Sequence, residues 1–233
     1  MIRGKQFYTK GGVLINTEDW DTSGGAQDLG NRYGWEAGMA WGNIIYDELQ
    51  GLNPNNPFPG IQPGDVFLDL GANIGLSSIN AELKGASKIY CLEPDPEVYE
   101  ALQLNQGENW QLFPIAVSNH EGQIEVAKWP NWWETELRSC VTLDQFLETN
   151  NIDQVDYMKV DIEGFEKIAF NNTKQETWNK IQKLFFEYHD DSKHSEYERD
   201  LEHINFVNFL LNKGFKNYYI EVGFNQSFIY IWK

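Results

Sequence analysis

The stretch FLDLGANIGLSS at residues 67–78 constrains the fold more than any other part of the chain. An apolar run typical of a buried strand carries one acid, Asp69, and breaks at Gly71. Gly75 follows four residues later, inside a segment, IGLSSINAELK, that has the pattern of a helix. A buried strand that turns directly into a helix begins a βα unit, so the sequence predicts an α/β protein.

The same alternation continues along the chain. Predicted strands are 65–70, 88–94, 110–117, 156–162 and 183–189, and predicted helices are 74–84, one starting at Asp95-Pro96, 141–150 and 194–213. Segment 123–129 is predicted to be an added hairpin arm, and FKNYYIEV and SFIYIWK a closing hairpin. Right-handed βα crossovers then predict a doubly wound, mostly parallel sheet of seven strands, with helices on both faces and an antiparallel C-terminal hairpin.

Residues 50–64 are dense in Pro, Gly and Asn and are predicted to form a connecting loop. This divides the chain into an N-terminal extension, 1–60, and a main domain, 61–233. The extension is rich in glycine and aromatic residues, with a helix predicted at about 34–50. It has little core of its own, so we expect it to wrap the ligand crevice of the main domain.

Composition excludes several classes of protein. The net charge of −17 argues against nucleic acid or an anionic membrane as partner, because both need clustered Lys and Arg. The two cysteines, Cys91 and Cys140, belong to no CxxC pair, which disfavours a disulfide framework or a zinc site. No signal peptide or membrane span is evident, so we expect a cytoplasmic protein.

Polar residues mark the predicted ligand site. In open α/β sheets, ligands bind beyond the carboxyl ends of the strands, where the strand order reverses. The predicted topology gathers five strand ends around one crevice: Asp69 to Gly75, Glu93, Ala116-Val117, Asp161 to Gly164, and Glu187 to Asp190. Four of the five strand ends carry acidic residues, whose negative charge disfavours binding of a phosphate group.

The glycine turn narrows the choice of ligand. A dinucleotide site of the G-x-G-x-x-G type needs glycine where this chain has Asn73, which disfavours a nicotinamide dehydrogenase without excluding it. Glu93, about 20 residues past the glycines, ends a strand where an acid can accept both ribose hydroxyls. S-adenosylmethionine fits, with its ribose on Glu93, its methionine part along Gly71, and a sulfonium that needs no phosphate site.

Five motifs in order carry a family resemblance: GDVFLDLGANIGLSS, IYCLEPDPEVYEALQLN, PIAVSNHEGQIEV, VTLDQFL and VDYMKVDIEGFE. Over about residues 64–190 the chain resembles the FkbM-family methyltransferases. The resemblance implies a Rossmann-like class I methyltransferase fold, S-adenosylmethionine as cofactor, and O-methylation of a small-molecule acceptor, usually a sugar or secondary metabolite. It further implies cofactor contacts from the first motif (Asp69, Gly71, Asn73, Gly75), the ribose acid and its neighbour (Glu93, Pro94), the adenine position (Ala116) and Asp161.

A hydroxyl acceptor must lose its proton as the methyl group transfers, so a general base is expected. The candidates are His189, Asp161 and Glu163, and the ordinary pKa of histidine, near 6.5, suits the role. His189 is equally well interpreted as a polar cap of its strand. No metal is assigned, although Asp161, Glu163, Glu187, His189 and Asp190 form an oxygen-rich set that suits Mg²⁺ or Ca²⁺.

Tryptophans flank the predicted crevice in two segments, YGWEAGMAW and KWPNWWE. Trp35, Trp129, Trp132 and Trp133 are candidates for a platform on which the acceptor stacks, and the alternative is that they cover the core. Two further functions stay open at this point. The acceptor atom is either oxygen or nitrogen, or the domain keeps the fold and cofactor as a binding module without catalysis.

Overall fold

The computed structural model describes residues 6–8, 14–16, 57–128, 131–189, 196–222 and 226–233, and the structural statements below refer to these residues. In the N-terminal segment, β1 (Gln6–Tyr8) and β2 (Leu14–Asn16) pair antiparallel. The helix predicted at about 34–50 lies outside the described residues. None of the described helices is long and apolar enough to cross a bilayer.

The main domain is built on one large and one small sheet. In chain order, its strands are β3 (Val66–Leu70), β4 (Lys88–Leu92), β5 (Trp110–Phe113), β6 (Ala116–Val117), β7 (Gly122–Lys128), β8 (Asn131–Val141), β9 (Val155–Val160), β10 (Ile181–His189), β11 (Asn217–Val222) and β12 (Gln226–Trp232). The large sheet has the order β11-β12-β10-β9-β3-β4-β5. Strands β5, β4, β3, β9 and β10 run parallel, and β12 is antiparallel to both β10 and β11. The predicted sheet of seven strands with a C-terminal hairpin is confirmed.

Six described helices connect the strands: α1 (Leu76–Leu83), α2 (Pro96–Leu104), α3 (Leu143–Thr149), α4 (Glu166–Ala169), α5 (Gln175–Lys180) and α6 (Glu196–Leu211). The start of α2 is as predicted, since the Asp95 carboxylate accepts hydrogen bonds from the next two free backbone N–H groups and Pro96 takes the first helical position. The Thr142 hydroxyl caps α3 by accepting one hydrogen bond, from the backbone N–H of Gln145 at 3.1 Å. Helices α4 and α5 were not predicted, because elements of four and six residues are too short to show a period.

One predicted strand was wrong in extent and another was missed. The strand predicted at 110–117 is divided: β5 ends at Phe113, and after Pro114, which has no N–H to donate, β6 joins a separate sheet of order β6-β8-β7. The predicted arm at 123–129 is β7, and its partner β8 occupies what the sequence suggested was a tryptophan-rich insertion. From Glu134 to Ser139 β8 has no buried residue, so the alternation that signals a strand is weak there.

Apolar residues on the two faces of the large sheet form two cores. Along β3, Phe67 belongs to the core beneath α1 and α2, whereas Leu68 and Leu70 belong to the core beneath α3, α5 and α6. Because side chains alternate along a strand, Asp69 must point to the same face as Phe67. Phe58 packs on Tyr157 with ring centroids 5.4 Å apart, so the segment just before Gly60 is also part of this core.

Candidate functional site

The turn between β3 and α1 places two glycines where a side chain has no room. Gly71 has a φ of 75°, and a Cβ on it would lie 1.8 Å from the carbonyl oxygen of Asp161. Gly75 has a φ of 91°, and its Cβ would lie 2.7 Å from Leu102. Both glycines are therefore required by contacts within the protein. The contact at Gly71 brings the ends of β3 and β9 together.

A buried lysine joins the same two strand ends. Lys159 Nζ donates to the carbonyl oxygen of Gly71 at 2.9 Å and lies 3.3 Å from Asp161 Oδ2 and 3.5 Å from Asp69 Oδ1. Burial by itself would lower the pKa of the Lys159 ammonium, but the charges of the nearby carboxylates outweigh it and raise the pKa. Lys159 therefore remains charged.

Lys159 is not among the residues predicted from the sequence to form the site. A signal was present, because a lysine inside an otherwise buried strand such as VDYMKV requires charged partners. Asp69, predicted to bind the cofactor, is one of these partners and is fully buried. Its other oxygen accepts a hydrogen bond from Ser78 Oγ at 2.6 Å, and burial raises the pKa of this carboxyl.

Glu93 lies at the end of β4, within reach of the glycine turn. Its two carboxylate oxygens accept hydrogen bonds from the backbone N–H groups of Asn73, at 2.9 Å, and Asp95, at 2.8 Å. Burial raises the pKa of Glu93 to about 7. Each oxygen retains a second lone pair, so the carboxylate is able to accept two more hydrogen bonds. The predicted neighbours Pro94 and Ala116 are both half-buried.

The ends of β9 and β10 hold a second group of polar side chains, gathered around His189. Its Nδ1 lies 3.1 Å from Glu166 Oε1. Glu166 is only 1% exposed, and the same oxygen accepts the backbone N–H groups of Ile162 at 3.3 Å and Gly164 at 3.2 Å. Because a carboxylate only accepts, Nδ1 carries the hydrogen and Nε2 faces the other side. Glu166 matched the family motif, but its role in orienting His189 was not predicted.

The structure brings the three predicted catalytic residues together. His189 Nε2 lies 3.4 Å from Glu163 Oε2 and 4.0 Å from Asp161 Oδ1. Glu187 joins them, since one donor atom each from Asp161, Glu187 and His189 lie within 4.8 Å of one another. Asp190 lies outside the described residues.

The pKa values in this group reflect burial together with an excess of negative charge. Burial by itself would lower the pKa of His189, but the hydrogen bond and charge of Glu166, with the charges of Asp161 and Glu163, raise it to about 9 rather than the ordinary 6.5. Burial and the nearby Asp161 raise the pKa of Glu187 to about 7. Burial and the charge of Asp161 also raise the pKa of Glu163.

The predicted tryptophan platform remains a prediction. Trp132 and Trp133 lie in β8. Trp35 and Trp129 lie outside the described residues.

A family model described as the methyltransferase FkbM domain matches residues 69–216, more than half of the chain. The chain belongs to the FkbM methyltransferase family. It is therefore an S-adenosylmethionine-dependent methyltransferase with a class I fold, which confirms the resemblance read from the motifs.

Solved structures with a similar fold have very different sequences. A precorrin-6y C5,15-methyltransferase from Geobacter metallireducens is 15% identical, with a TM-score of 0.44, over 74% of this chain and 83% of that one. A magnesium protoporphyrin IX methyltransferase from Synechocystis with bound SAH is 12% identical, with a TM-score of 0.45, over 83% and 80% of the two chains. No curated protein sequence matches the chain significantly.

The residues of the crevice fit this cofactor. Glu93 keeps two acceptor positions for a ribose diol, and the glycine turn carries no cationic side chain that would mark a phosphate site. When bound, S-adenosylmethionine supplies a methyl group activated by its sulfonium. The chain's part is to hold the cofactor and acceptor in line and to exclude water.

We predict that Gly71→Ala abolishes binding of S-adenosylhomocysteine. The new Cβ would overlap the Asp161 carbonyl oxygen, so the ends of β3 and β9 must separate. The measurement is calorimetric titration of S-adenosylhomocysteine, with circular dichroism to monitor folding. Gly214→Ala is the matched control, because Gly214 also has a positive φ, 105°, but open space around its Cβ position. Wild-type affinity in Gly71→Ala would contradict the prediction.

Proposed function

We propose that the enzyme methylates a hydroxyl group on a sugar or secondary metabolite. The observation that carries the proposal is the meeting of Asp161, Glu163 and His189 beside the Gly71 turn. A hydroxyl is a weak acid that must lose its proton during transfer, and a positioned acid–base group at the acceptor oxygen meets that need.

The three side chains suit different parts of the task. Asp161 Oδ2 contacts Lys159, which also holds Gly71, so Asp161 lies between the cofactor turn and the acceptor. His189 is oriented by Glu166, so that its Nε2 faces Asp161 and Glu163. The Glu163 side chain is 55% exposed, so it is placed to take up the acceptor's proton and release it to water.

Methylation of nitrogen is the second candidate, and the excess of carboxylates is the observation that supports it. Asp161, Glu163 and Glu187 would attract a cationic amine as readily as they would hydrogen-bond a polyol. The net charge of −17 supports a small acceptor over RNA or DNA in either case. The remaining alternative is a binding module, which would bind the cofactor but transfer methyl to no acceptor.

The decisive experiment is transfer of labelled methyl from S-adenosylmethionine to a panel of sugars, polyketide-like alcohols and amines. We expect product with hydroxyl acceptors, and His189→Ala should lower turnover by ~10²–10⁴ while affinity for S-adenosylhomocysteine stays near wild type. His120→Ala is the control, because His120 is an exposed histidine with no contact to this group. Transfer to amines alone would replace the proposal with N-methylation.

A second prediction concerns the pH dependence of cofactor binding. We propose that the ionised Glu93 carboxylate accepts the ribose hydroxyls. Since the pKa of Glu93 is raised to about 7, affinity for S-adenosylhomocysteine should increase as pH rises through 7. Glu93→Gln should bind ~1–3 kcal/mol more weakly at pH 8 and lose this dependence. Calorimetric titration from pH 6 to 8 measures both, and an unchanged pH profile in the variant would remove Glu93 from the ribose site.

We propose that the N-terminal extension helps to shape the acceptor site. The supporting observation is that β1 lies against α2, the helix that begins just after Glu93. A chain starting at Pro57 keeps Phe58 in its core, so it should fold and bind S-adenosylhomocysteine but lose methyl transfer. Transfer at the full-length rate by this truncated chain would show that the extension has no part in the site.

A further inference from the structure

Three side chains with metal-binding donor atoms converge at the carboxyl ends of two adjacent parallel strands. Asp161 follows β9, and Glu187 and His189 lie two residues apart near the end of β10, on one face of the strand. A carboxylate oxygen of each acid and a ring nitrogen of His189 all lie within 4.8 Å of one another. Small side-chain rotations bring such atoms to the separations found around one ion.

The two carboxylates have free oxygen atoms directed at this point. Lys159 engages Oδ2 of Asp161 at 3.3 Å, so Oδ1 is the oxygen that faces His189 Nε2. Among the residues that the structure describes, none donates a hydrogen bond to the Glu187 carboxylate, which interacts with the charges of Asp161, Lys159, His189 and Glu163. A half-buried carboxylate with no donor is costly unless a cation or a ligand completes it.

The histidine is oriented as metal-binding histidines are. A ligating imidazole almost always donates its second N–H to a carboxylate or carbonyl, which fixes the tautomer and the ring plane. Glu166 does this for Nδ1 of His189 at 3.1 Å, and is itself held by two backbone N–H groups of the loop after Asp161. Nε2 is the nitrogen directed towards Asp161 and Glu163, and an ion bound there takes the place of its proton.

We propose that Asp161, Glu187 and His189 bind a divalent first-row metal ion, which in turn binds the acceptor hydroxyl. This inference rests on the proposed function for its catalytic part, but not for binding of the ion. One imidazole with two carboxylates is a mixed donor set that suits Mn²⁺ or Fe²⁺ better than Ca²⁺, which prefers oxygen donors alone.

The ion would assist the reaction by lowering the pKa of the bound hydroxyl. The acceptor O–H proton passes to the Glu163 carboxylate at the rim, a new O–C bond forms to the methyl group, and the C–S bond breaks. The sulfur keeps the electron pair and becomes a neutral thioether. No electron is gained or lost by the ion, so no oxidant or reductant is required.

In the first test, the purified full chain is stripped with a chelator, the chelator is removed, and Mn²⁺ is added. Binding is measured as the decrease in the electron paramagnetic resonance signal of free Mn²⁺. We expect one Mn²⁺ site per chain. Affinity for Mn²⁺ should fall at least ~10-fold in Glu187→Gln and in His189→Gln, which lose a ligand. It should fall ~10–100-fold in Glu166→Gln, which loses the residue that orients His189. Glu108→Gln, an exposed acid away from the crevice, is the control. Wild-type melting temperature and affinity for S-adenosylhomocysteine show that each variant is folded. Equal Mn²⁺ binding by wild type, Glu187→Gln and His189→Gln would overturn the proposal.

The second test separates this inference from the proposed function. Methyl transfer should stop on chelation and return with Mn²⁺, and return only weakly with Ca²⁺. Transfer that continues at full rate in chelator would overturn the metal site and leave hydroxyl methylation standing. Specific Mn²⁺ binding without transfer to any hydroxyl acceptor would keep the ion and overturn the proposed reaction.

Discussion

The buried ammonium of Lys159 is the interaction on which the rest of the crevice depends. It contacts the end of β3 through Asp69 and the Gly71 carbonyl, and the end of β9 through Asp161. Removing an ammonium from water is costly, and only partners on all sides compensate for it. The arrangement therefore holds these strand ends in one geometry. Lys159 contacts the glycine turn at one strand end and Asp161, beside the group around His189, at the other, so this one ammonium helps to fix the relative position of the two.

The group around His189 carries more negative than positive charge. Asp161, Glu163, Glu166 and Glu187 face two cations, Lys159 and His189. Burial, and then the charge of the neighbouring carboxylates, raises the pKa values of Glu163 and Glu187. Charge repulsion of this kind lowers stability, and it persists where function requires it. The same excess of negative charge raises the pKa of His189, because it favours the imidazolium over the neutral ring. A cationic ligand at this point, whether an amine, a sulfonium or a metal ion, would relieve the repulsion.

Most of the fold could be predicted because its signals are local. The break at Gly71, the Asp95 cap and the apolar runs of β3, β4, β9 and β10 all depend on neighbours in sequence. What could not be predicted depends on residues far apart. The Lys159 contact with Gly71 spans 88 residues, and the bond between Glu166 and His189 spans 23. The strand β8 was missed for a related reason, since pairing with β7 rather than its own apolar pattern makes it a strand.

The two glycines of the turn have a structural cause that the sequence did not reveal. From the sequence, both glycines are predicted to contact the cofactor. In the structure they are required by Asp161 and Leu102, within the protein. The left-handed turn they permit directs the Asn73 N–H at Glu93, 20 residues later. The turn therefore holds the acid in place. Glycine turn and acid form one unit in space, and this is why the two together indicated the cofactor although neither did so alone.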